Sequence, residues 1–497
     1  MLPRLRAYTS FRIKNILIMP EENIKYKTKK GIYWTFVEQF CNYGLQFIVG
    51  IIMARLLSPS DYGITALPAV FIVVAEVFIN GGFGTAMVRK PELTEKDIST
   101  AFIYSISVGL LCYLILYLSA PFIAIFYNTP VLTPLIRVTA LSFLWGPLVT
   151  PQTIILQRRL DFKTPARITI ITKIIGAIIG ICLAYMGYGL WSLVIMNVVS
   201  SFLSFVQTWF AVKWIPKKKW SRDSFNYLWG YGNKLILSSL LEKIYQNIIP
   251  IVLGKYFSTY DLGLYSRAKG YASLPAVQGT SIVQRVVFPT LSKQQDDIKA
   301  LERNYRKMLK VTAFVIFPVM VLLSALARPL IIVMLTEKWE ECVVLLQIIC
   351  FSSLWYPIHV INLTLLQVKG RSDLFLKLEV IKKIIGICAI VLTLPFGLVV
   401  FCAAQILNSI ISLIINTRYT GKILSIGFIE QMKDLLPTLS LSMLCFVIIS
   451  IINVFIESNY LQIVVGIIIG TCIYVGGALI FKFSELSDVK YMINFKK

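Results

Sequence analysis

The chain has 497 residues, of which 57% are apolar and only 15% are charged, and its mean hydropathy is +0.74. Soluble proteins carry about 25% charged residues, so a soluble enzyme, a disordered chain and a nucleic-acid-binding protein are all poor fits. The composition therefore predicts an all-α, polytopic membrane protein. The net charge of +24 agrees with this class, because membrane proteins concentrate Lys and Arg in their cytoplasmic loops.

Apolar runs of about 20 residues, each long enough to cross a bilayer, follow one another along most of the chain. We count fourteen predicted transmembrane helices, at residues 31–55, 62–88, 98–126, 132–156, 165–187, 190–212, 234–257, 262–288, 309–335, 342–367, 374–395, 397–417, 436–456 and 460–482.

The segment before the first predicted span, residues 1–30, is basic and is expected to lie in the cytoplasm. It lacks the apolar core and small-residue cleavage site of a signal peptide. Met19 precedes Pro-Glu-Glu and a Lys-rich run, so a start at Met19, with residues 1–18 as an untranslated extension, is an alternative.

The distribution of positive charge gives an independent test of the count. With the N-terminus in the cytoplasm, the predicted cytoplasmic segments hold 37 of the 49 Lys and Arg residues. One missed span would reverse every later loop and remove this bias. The asymmetry favours an even number of spans with both termini cytoplasmic, in the inner membrane of a cell.

Two pairs of similar motifs indicate an internal repeat. ARLLSPSDYG at 54–63 and GKYFSTYDLG at 254–263 share Ser, Asp and Gly at an offset of 200. LQ at 156–157 and KIIG at 173–176 both recur 210 residues later. Since six spans are an even number, spans 1–6 and 7–12 are predicted to be two parallel pseudo-repeats. Chance similarity between apolar stretches is the alternative.

The repeat predicts the following organisation, in which two helices lie outside the repeated part. It consists of an N-lobe at 31–212, a cytoplasmic linker at 213–233, a C-lobe at 234–417, helices 13 and 14 at 436–482, and a cytoplasmic tail at 483–497.

Several motifs resemble the polysaccharide transporter family of the multidrug/oligosaccharidyl-lipid/polysaccharide (MOP) exporter superfamily. They are ARLLSPSDYG, GGFGTAMVRK at 81–90, LQRRLDFK at 156–163, LYSRAKGYASLPA at 264–276 and VVFPTLSK at 286–293. The resemblance implies a MATE-like fold with two six-helix lobes and two C-terminal helices. It also implies a non-enzymatic flippase that moves undecaprenyl-diphosphate-linked oligosaccharides outward for lipopolysaccharide, O-antigen or exopolysaccharide biosynthesis. The implied partners are that lipid-linked substrate, membrane lipid and polysaccharide assembly proteins, without nucleic acid.

Charged side chains within predicted spans are costly and are therefore candidates for substrate binding. Lys243 is the first candidate for a diphosphate, because it lies nine residues into a span predicted to start at Lys234. Arg267 and Lys269 are further cavity cations, for which snorkelling to the interface is the alternative. Lys173 and Lys383 are weaker candidates, because they lie within a turn or two of the cytoplasmic face.

Polar residues form matching faces on the first and seventh predicted spans. These candidates for cavity lining or coupling are Glu38, Gln39, Asn42 and Gln46 in span 1, and Glu242 and Gln246 in span 7. Glu76 is the deepest acid, in span 2. The carboxylates are candidates for coupling to a proton or sodium gradient, or for pairing with a buried cation; polar helix packing is the alternative. No other cofactor is expected.

Rival functions are less consistent with the sequence. A membrane polysaccharide polymerase or glycosyltransferase would need external catalytic residues, whereas the outer loops are short and His359, the single histidine, lies inside a span. The nine cysteines form no CxxC pair, so no metal site is predicted. A multidrug or other lipid-precursor exporter of the same superfamily remains the closer alternative.

Overall fold

The computed structural model describes residues 21–217 and 219–493, which fold into helices without any β-strand. The alternative start at Met19, residues 1–18 and the last four residues of the predicted tail lie outside this part. The all-α class is therefore confirmed.

Contacts between helices divide the chain into two compact units, Met1–Thr259 and Tyr260–Lys497. The division follows the seventh predicted span, whereas the predicted N-lobe ends at residue 212; the lobes themselves stay predictions. The first unit contains α1 (Glu21–Leu56), α2 (Pro59–Ala66), α3 (Ala69–Asn80), α4 (Phe83–Arg89), α5 (Glu95–Phe126), α6 (Leu132–Ala140), α7 (Ser142–Arg158), α8 (Lys163–Tyr185), α9 (Leu190–Val212), α10 (Arg222–Gln246) and α11 (Ile248–Tyr256).

The second unit is also helical, with short π and 3₁₀ turns at 274–278, 337–339 and 394–396. Its helices, the first of which starts one residue before the division, are α12 (Thr259–Ser273), α13 (Gly279–Ser292), α14 (Ile298–Ala325), α15 (Ala327–Leu335), α16 (Cys342–Ser353), α17 (Tyr356–Val368), α18 (Ser372–Thr393), α19 (Leu398–Leu424), α20 (Phe428–Phe455), α21 (Asn459–Ile480) and α22 (Ser484–Ile493).

Within the described residues, eleven helical segments are long and apolar enough to cross a membrane. A twelfth consists of α10 and α11, which meet at a bend of 40°. The predicted spans 262–288 and 374–395 are helical, but charged residues such as Lys269 and Lys382 make them more polar than these twelve. The protein is thus a multi-pass membrane protein, and the total of fourteen spans stays a prediction.

Four helices, α1, α10, α14 and α20, begin eight or more residues before the apolar span predicted for them, because a helix extends beyond the apolar part of a span. The ninth span was predicted from 309, but α14 begins at Ile298, where the Asp297 side chain accepts a hydrogen bond from the Ala300 N–H at 3.0 Å. The seventh was predicted from 234, but α10 begins at Arg222, after the N-cap Ser221. Such caps stabilise a polar first turn that hydropathy does not detect.

The ARLLSPSDYG motif forms the cap of α2. Ser58 and Asp61 make a reciprocal capping box, with Pro59 in the first turn. Asp61 therefore caps the start of its own helix.

The GGFGTAMVRK motif interrupts the second predicted span between α3 and α4. Gly81 and Gly82 both have left-handed φ angles, of 56° and 66°. A Cβ atom on Gly82 would lie 3.0 Å from the Cα of Gly232 in α10, so a side chain would collide with that helix. Glycine is needed here for both conformation and close approach.

The LQ motifs end in the same turn in both units. Leu160 and Gly370 have left-handed φ angles of 54° and 68°. Their N–H groups donate to the carbonyls of Gln157 and Gln367, each at 3.0 Å. This local agreement follows the 210-residue offset, while the repeat as a whole stays a prediction.

Candidate functional site: polar clusters in the spanning helices

A first cluster lies between α1 and α8. The Lys173 ammonium donates a hydrogen bond to the Asn42 side-chain oxygen at 2.6 Å, and the Glu38 carboxylate acts on it electrostatically. Glu38 and Asn42 are one helical turn apart and therefore share a face of α1. Two predicted residues of the span 1 stripe thus meet a cation that sequence reasoning ranked among the weaker candidates.

The same face of α1 meets two more cations towards its N-terminal end. The Lys163 ammonium and the Arg167 guanidinium lie 5.5 and 5.7 Å from the centroid of the Trp34 ring. Such distances allow cation–π attraction. The predicted span 165–187 includes Arg167 but not Lys163, which is the first residue of α8.

Apolar packing holds α1 against α8 farther along the two helices. Val49 and Met53 of α1, with Leu57 just after it, form one buried cluster with Ala177 and Ala184 of α8. Small residues let two helices approach closely in a membrane. This contact positions Lys173 beside Asn42.

Two opposite charges, on α3 and α10, influence each other electrostatically. Lys243 acts electrostatically on the Glu76 carboxylate, and both side chains are exposed. The two helices approach closely where Gly82 follows α3 and faces Gly232. The deepest predicted acid therefore interacts with the first-ranked predicted cation.

Lys243 lies at the end of its helix. Because α10 ends at Gln246, Lys243 is in its last turn, at the bend before α11, and its depth in the membrane stays a prediction. Asn247 donates a side-chain hydrogen bond to the Lys243 carbonyl at 2.8 Å. A cation is favoured at this end of a helix, because it interacts with the negative end of the helix dipole.

The predicted alignment of Glu242 with Gln246 is confirmed. The Gln246 amide donates to the Glu242 carboxylate at 2.7 Å, and both residues are exposed. On α1, Gln39 is half-buried and Gln46 is exposed. Their participation in a cavity stays a prediction.

The remaining predicted cations belong to the second unit. Arg267 is half-buried on α12, and the exposed Lys269 ammonium lies 5.7 Å from the Tyr265 ring centroid. Lys383 is half-buried on α18, where its neighbour Lys382 pairs with Glu379. Substrate contact by these side chains stays a prediction.

His359 makes specific hydrogen bonds with α19. Its Nε2 lies 3.1 Å from the Ser409 hydroxyl, and Asn416 donates to its Nδ1 at 3.3 Å. Since Ser409 donates to the Ser352 carbonyl, Nε2 carries the proton and donates to Ser409. Both ring nitrogens of His359 are therefore used in contacts between α17 and α19.

A buried hydrogen-bond network, which the sequence analysis did not predict, centres on Asn362 of α17. The Asn362 side-chain oxygen accepts hydrogen bonds from Tyr305, Thr420 and Gln431, at 2.9, 2.7 and 3.1 Å. It ties α17 to α14, α19 and α20. Ser409, Asn416 and Thr420 recur at helical spacing on α19, and this pattern was the sequence signal for a polar face.

Among the described residues, no three His, Cys, Asp or Glu side chains could hold a metal ion.

Comparison with known proteins decides the family. The sequence profile of the polysaccharide biosynthesis protein family matches residues 52–344, which is more than half of the chain. The chain belongs to this family. The resemblance predicted from the motifs is thus confirmed.

Two bacterial proteins are similar to this chain in sequence. The chain is 25% identical over 442 residues to the lipopolysaccharide biosynthesis protein WzxC of Escherichia coli (strain K12), covering 84% of this chain and 88% of WzxC. It is 25% identical over 323 residues to the succinoglycan biosynthesis transport protein ExoT of Rhizobium meliloti (strain 1021), covering 64% and 65%.

Among solved structures, the lipid II flippase MurJ in its inward closed conformation is similar with a TM-score of 0.73. The match covers 90% of this chain and 98% of MurJ at 17% sequence identity. This likeness concerns the fold. The chain therefore has a helical fold like that of MurJ.

Proposed function

We propose that this protein moves lipid-linked oligosaccharide units across the cytoplasmic membrane by alternating access, for the assembly of a cell-surface polysaccharide. The family and the transport and flippase names of similar proteins support a transporter of this class. The single observation that carries the proposal is the hydrogen bond from Lys173 to Asn42 between two candidate membrane-spanning helices. Lys243, which acts electrostatically on Glu76, is its counterpart on α10.

The charges suggest how an anionic lipid diphosphate would be bound. Before the substrate arrives, Glu38 and Glu76 partly neutralise Lys173 and Lys243, which lowers the cost of holding cations at membrane depth. A diphosphate offers both lysines a more strongly charged partner. Substrate binding would then exchange one counter-ion for another without leaving a cation unpaired.

The sugar portion needs a wet, polar surface, while the lipid tail can remain in the bilayer. Asn42, Gln46 and Gln246 supply donors and acceptors for hydroxyl groups, and Trp34 offers a ring on which a sugar could stack. We extend the proposal to coupling by a proton or sodium gradient through Glu38 or Glu76. Both termini are proposed to lie in the cytoplasm, as the loop charge predicts.

Transport in liposomes tests the proposal directly. We expect the reconstituted protein to move an undecaprenyl-diphosphate-linked oligosaccharide, and Lys173→Ala and Lys243→Ala each to lower the rate roughly tenfold or more, as for loss of a charged contact. Lys219→Ala is the matched control, because Lys219 is an exposed lysine between helices. Its rate should be unchanged.

Two outcomes would overturn this function. One is efflux of a cationic dye without movement of the lipid-linked sugar. The other is normal lipid movement in both lysine variants when the variants insert and fold like the parent protein. Repeating the assay with a proton gradient or a sodium gradient alone identifies the coupling ion.

A further inference from the structure

An open cleft of about 500 Å³ lies beside the first turns of α14, in the second unit. One wall is a basic face of α14. The other is the start of α22, which supplies Ser484 and two acids, Glu485 and Asp488. The cations on the α14 face are Lys299, Arg303, Arg306, Lys307 and Lys310.

Three of these cations already have acidic partners. Arg306 makes a two-pronged pair with Asp434, both bonds at 2.7 Å, and Lys310 lies 3.3 Å from the same carboxylate. Lys307 pairs with Asp488 at 2.6 Å. Within residues 21–217 and 219–493, Lys299 and Arg303 have no such partner, although Glu302 also lines the cleft.

Lys299 and Arg303 are suited to bind one ligand together. Both side chains are exposed, and their four-residue spacing places them one turn apart on the same face. The opposite face of α14 is fixed in the protein, because Leu301, Tyr305 and Leu309 are fully buried. The basic face therefore has a defined direction.

The length of α14 places this face at the membrane surface. Its 28 residues span about 42 Å at helical rise, whereas a hydrocarbon core is about 30 Å thick. The apolar residues lie in the C-terminal part, so the first turns extend to the level of lipid headgroups. Loop charge predicts that this end faces the cytoplasm.

Aromatic packing keeps the second wall in place. Phe314 of α14 packs against Tyr474 of α21 and against Phe483, which precedes α22. The Tyr474 hydroxyl donates to the Phe314 carbonyl at 2.8 Å. The two walls of the cleft are thus held together by contacts farther along α14, at Phe314.

We propose that this cleft binds the phosphate headgroup of an anionic lipid in the cytoplasmic leaflet. Lys299 and Arg303 contact the phosphate oxygens, whereas the Ser484 hydroxyl already donates to the Glu485 carboxylate at 3.3 Å. Basic pockets beside membrane helices suit such headgroups, and a guanidinium can bind phosphate with two parallel hydrogen bonds. Five cations outnumber the three acids of the lining. The proposal does not depend on the transport activity.

Lipid binding by the purified full-length protein in detergent tests this site. The probes are phosphatidylglycerol, undecaprenyl diphosphate and the control phosphatidylcholine, whose zwitterionic headgroup has no net charge, and bound lipid is counted by native mass spectrometry. We expect the double variant Lys299→Gln/Arg303→Gln to lose roughly tenfold or more of its affinity for the anionic probes. The matched double variant Lys217→Gln/Lys219→Gln removes the same charge from an exposed basic segment and should bind normally.

The probes also identify the source of the headgroup. Similar affinity for both anionic lipids indicates a general phospholipid site, whereas strong preference for undecaprenyl diphosphate indicates docking of a substrate carrier. Equal retention of phosphatidylcholine would overturn the proposal. So would equal loss in the two double variants, or no loss in Lys299→Gln/Arg303→Gln.

Discussion

The cytoplasm-facing ends predicted for α5 and α14 occupy corresponding places in the two proposed repeats. Their ion pairs differ in how far the cations are exposed to solvent. In α5, Asp97 is 0% exposed, caps the helix through Thr94 and receives both hydrogen bonds from Lys90 at 2.8 Å. In α14, Asp434 of a neighbouring helix holds two cations that remain partly in solvent. The first end is closed around one buried pair, and the second is open around a basic cleft.

This difference coincides with a longer connection in the second half. Residues 292–310 correspond to 89–97, and the added residues are largely helix rather than loop. An added polar segment that folds as helix places its charges on one fixed face. The extension of α14 thus supplies the cations of the proposed lipid site, whereas the shorter start of α5 places its charge in a cap and an ion pair.

The largest expected effect concerns the closed end. Asp97→Ala should lower the free energy of unfolding by about 3 kcal/mol, because it removes a cap and leaves Lys90 without its buried partner. Denaturant unfolding in detergent measures it. Asp61→Ala, at the exposed capping box of α2, is the matched control and should cost about 1 kcal/mol. Equal losses in the two variants would contradict the idea that the buried ion pair adds stability.

A smaller effect is expected at the open end. Asp434→Ala should cost about 1 kcal/mol, because the Arg306 and Lys310 side chains are 41% and 33% exposed and can be hydrated after the loss. The same unfolding assay applies. A loss as large as that of Asp97→Ala would show that the open end is also a stabilising pair, which removes the contrast between the two helices.

The smallest effect on stability is expected at the proposed ligand contacts. Lys299→Gln/Arg303→Gln should change the free energy of unfolding by less than about 0.5 kcal/mol, since both side chains are exposed. Its melting temperature in detergent without added anionic lipid should therefore match that of the parent protein. A clear decrease would assign these residues a structural role.

Much of the fold could be predicted from residue patterns. The apolar runs indicate most helices, and the four-residue spacing of Glu242 and Gln246 predicts the hydrogen bond between them. The starts of α10 and α14 were missed, because a capped polar turn has no hydropathy signal. The break at Gly81 and Gly82 was missed as well, since its requirement for glycine comes from a helix that crosses there.

The candidate site was predicted less completely. Lys173 was ranked low by its distance from the cytoplasmic face, yet it bonds Asn42 across 131 residues of sequence. Lys243 was ranked first for its depth, and its position at a helix bend was not foreseen. Residue type identified the charged side chains that are costly to place in a bilayer. The packing of one helix against another determined which of these side chains lie close together.

The sequence by itself determined that this is a helical membrane protein, which family it belongs to and which side chains are costly in a bilayer. These properties depend only on which residues are present and on how they are spaced over short stretches of the chain. Only the tertiary structure decided that Lys173 bonds Asn42, that Lys243 acts electrostatically on Glu76 and that α14 extends to form a basic cleft. Such contacts depend on the rotation and crossing of whole helices, which distant packing determines and local spacing does not encode.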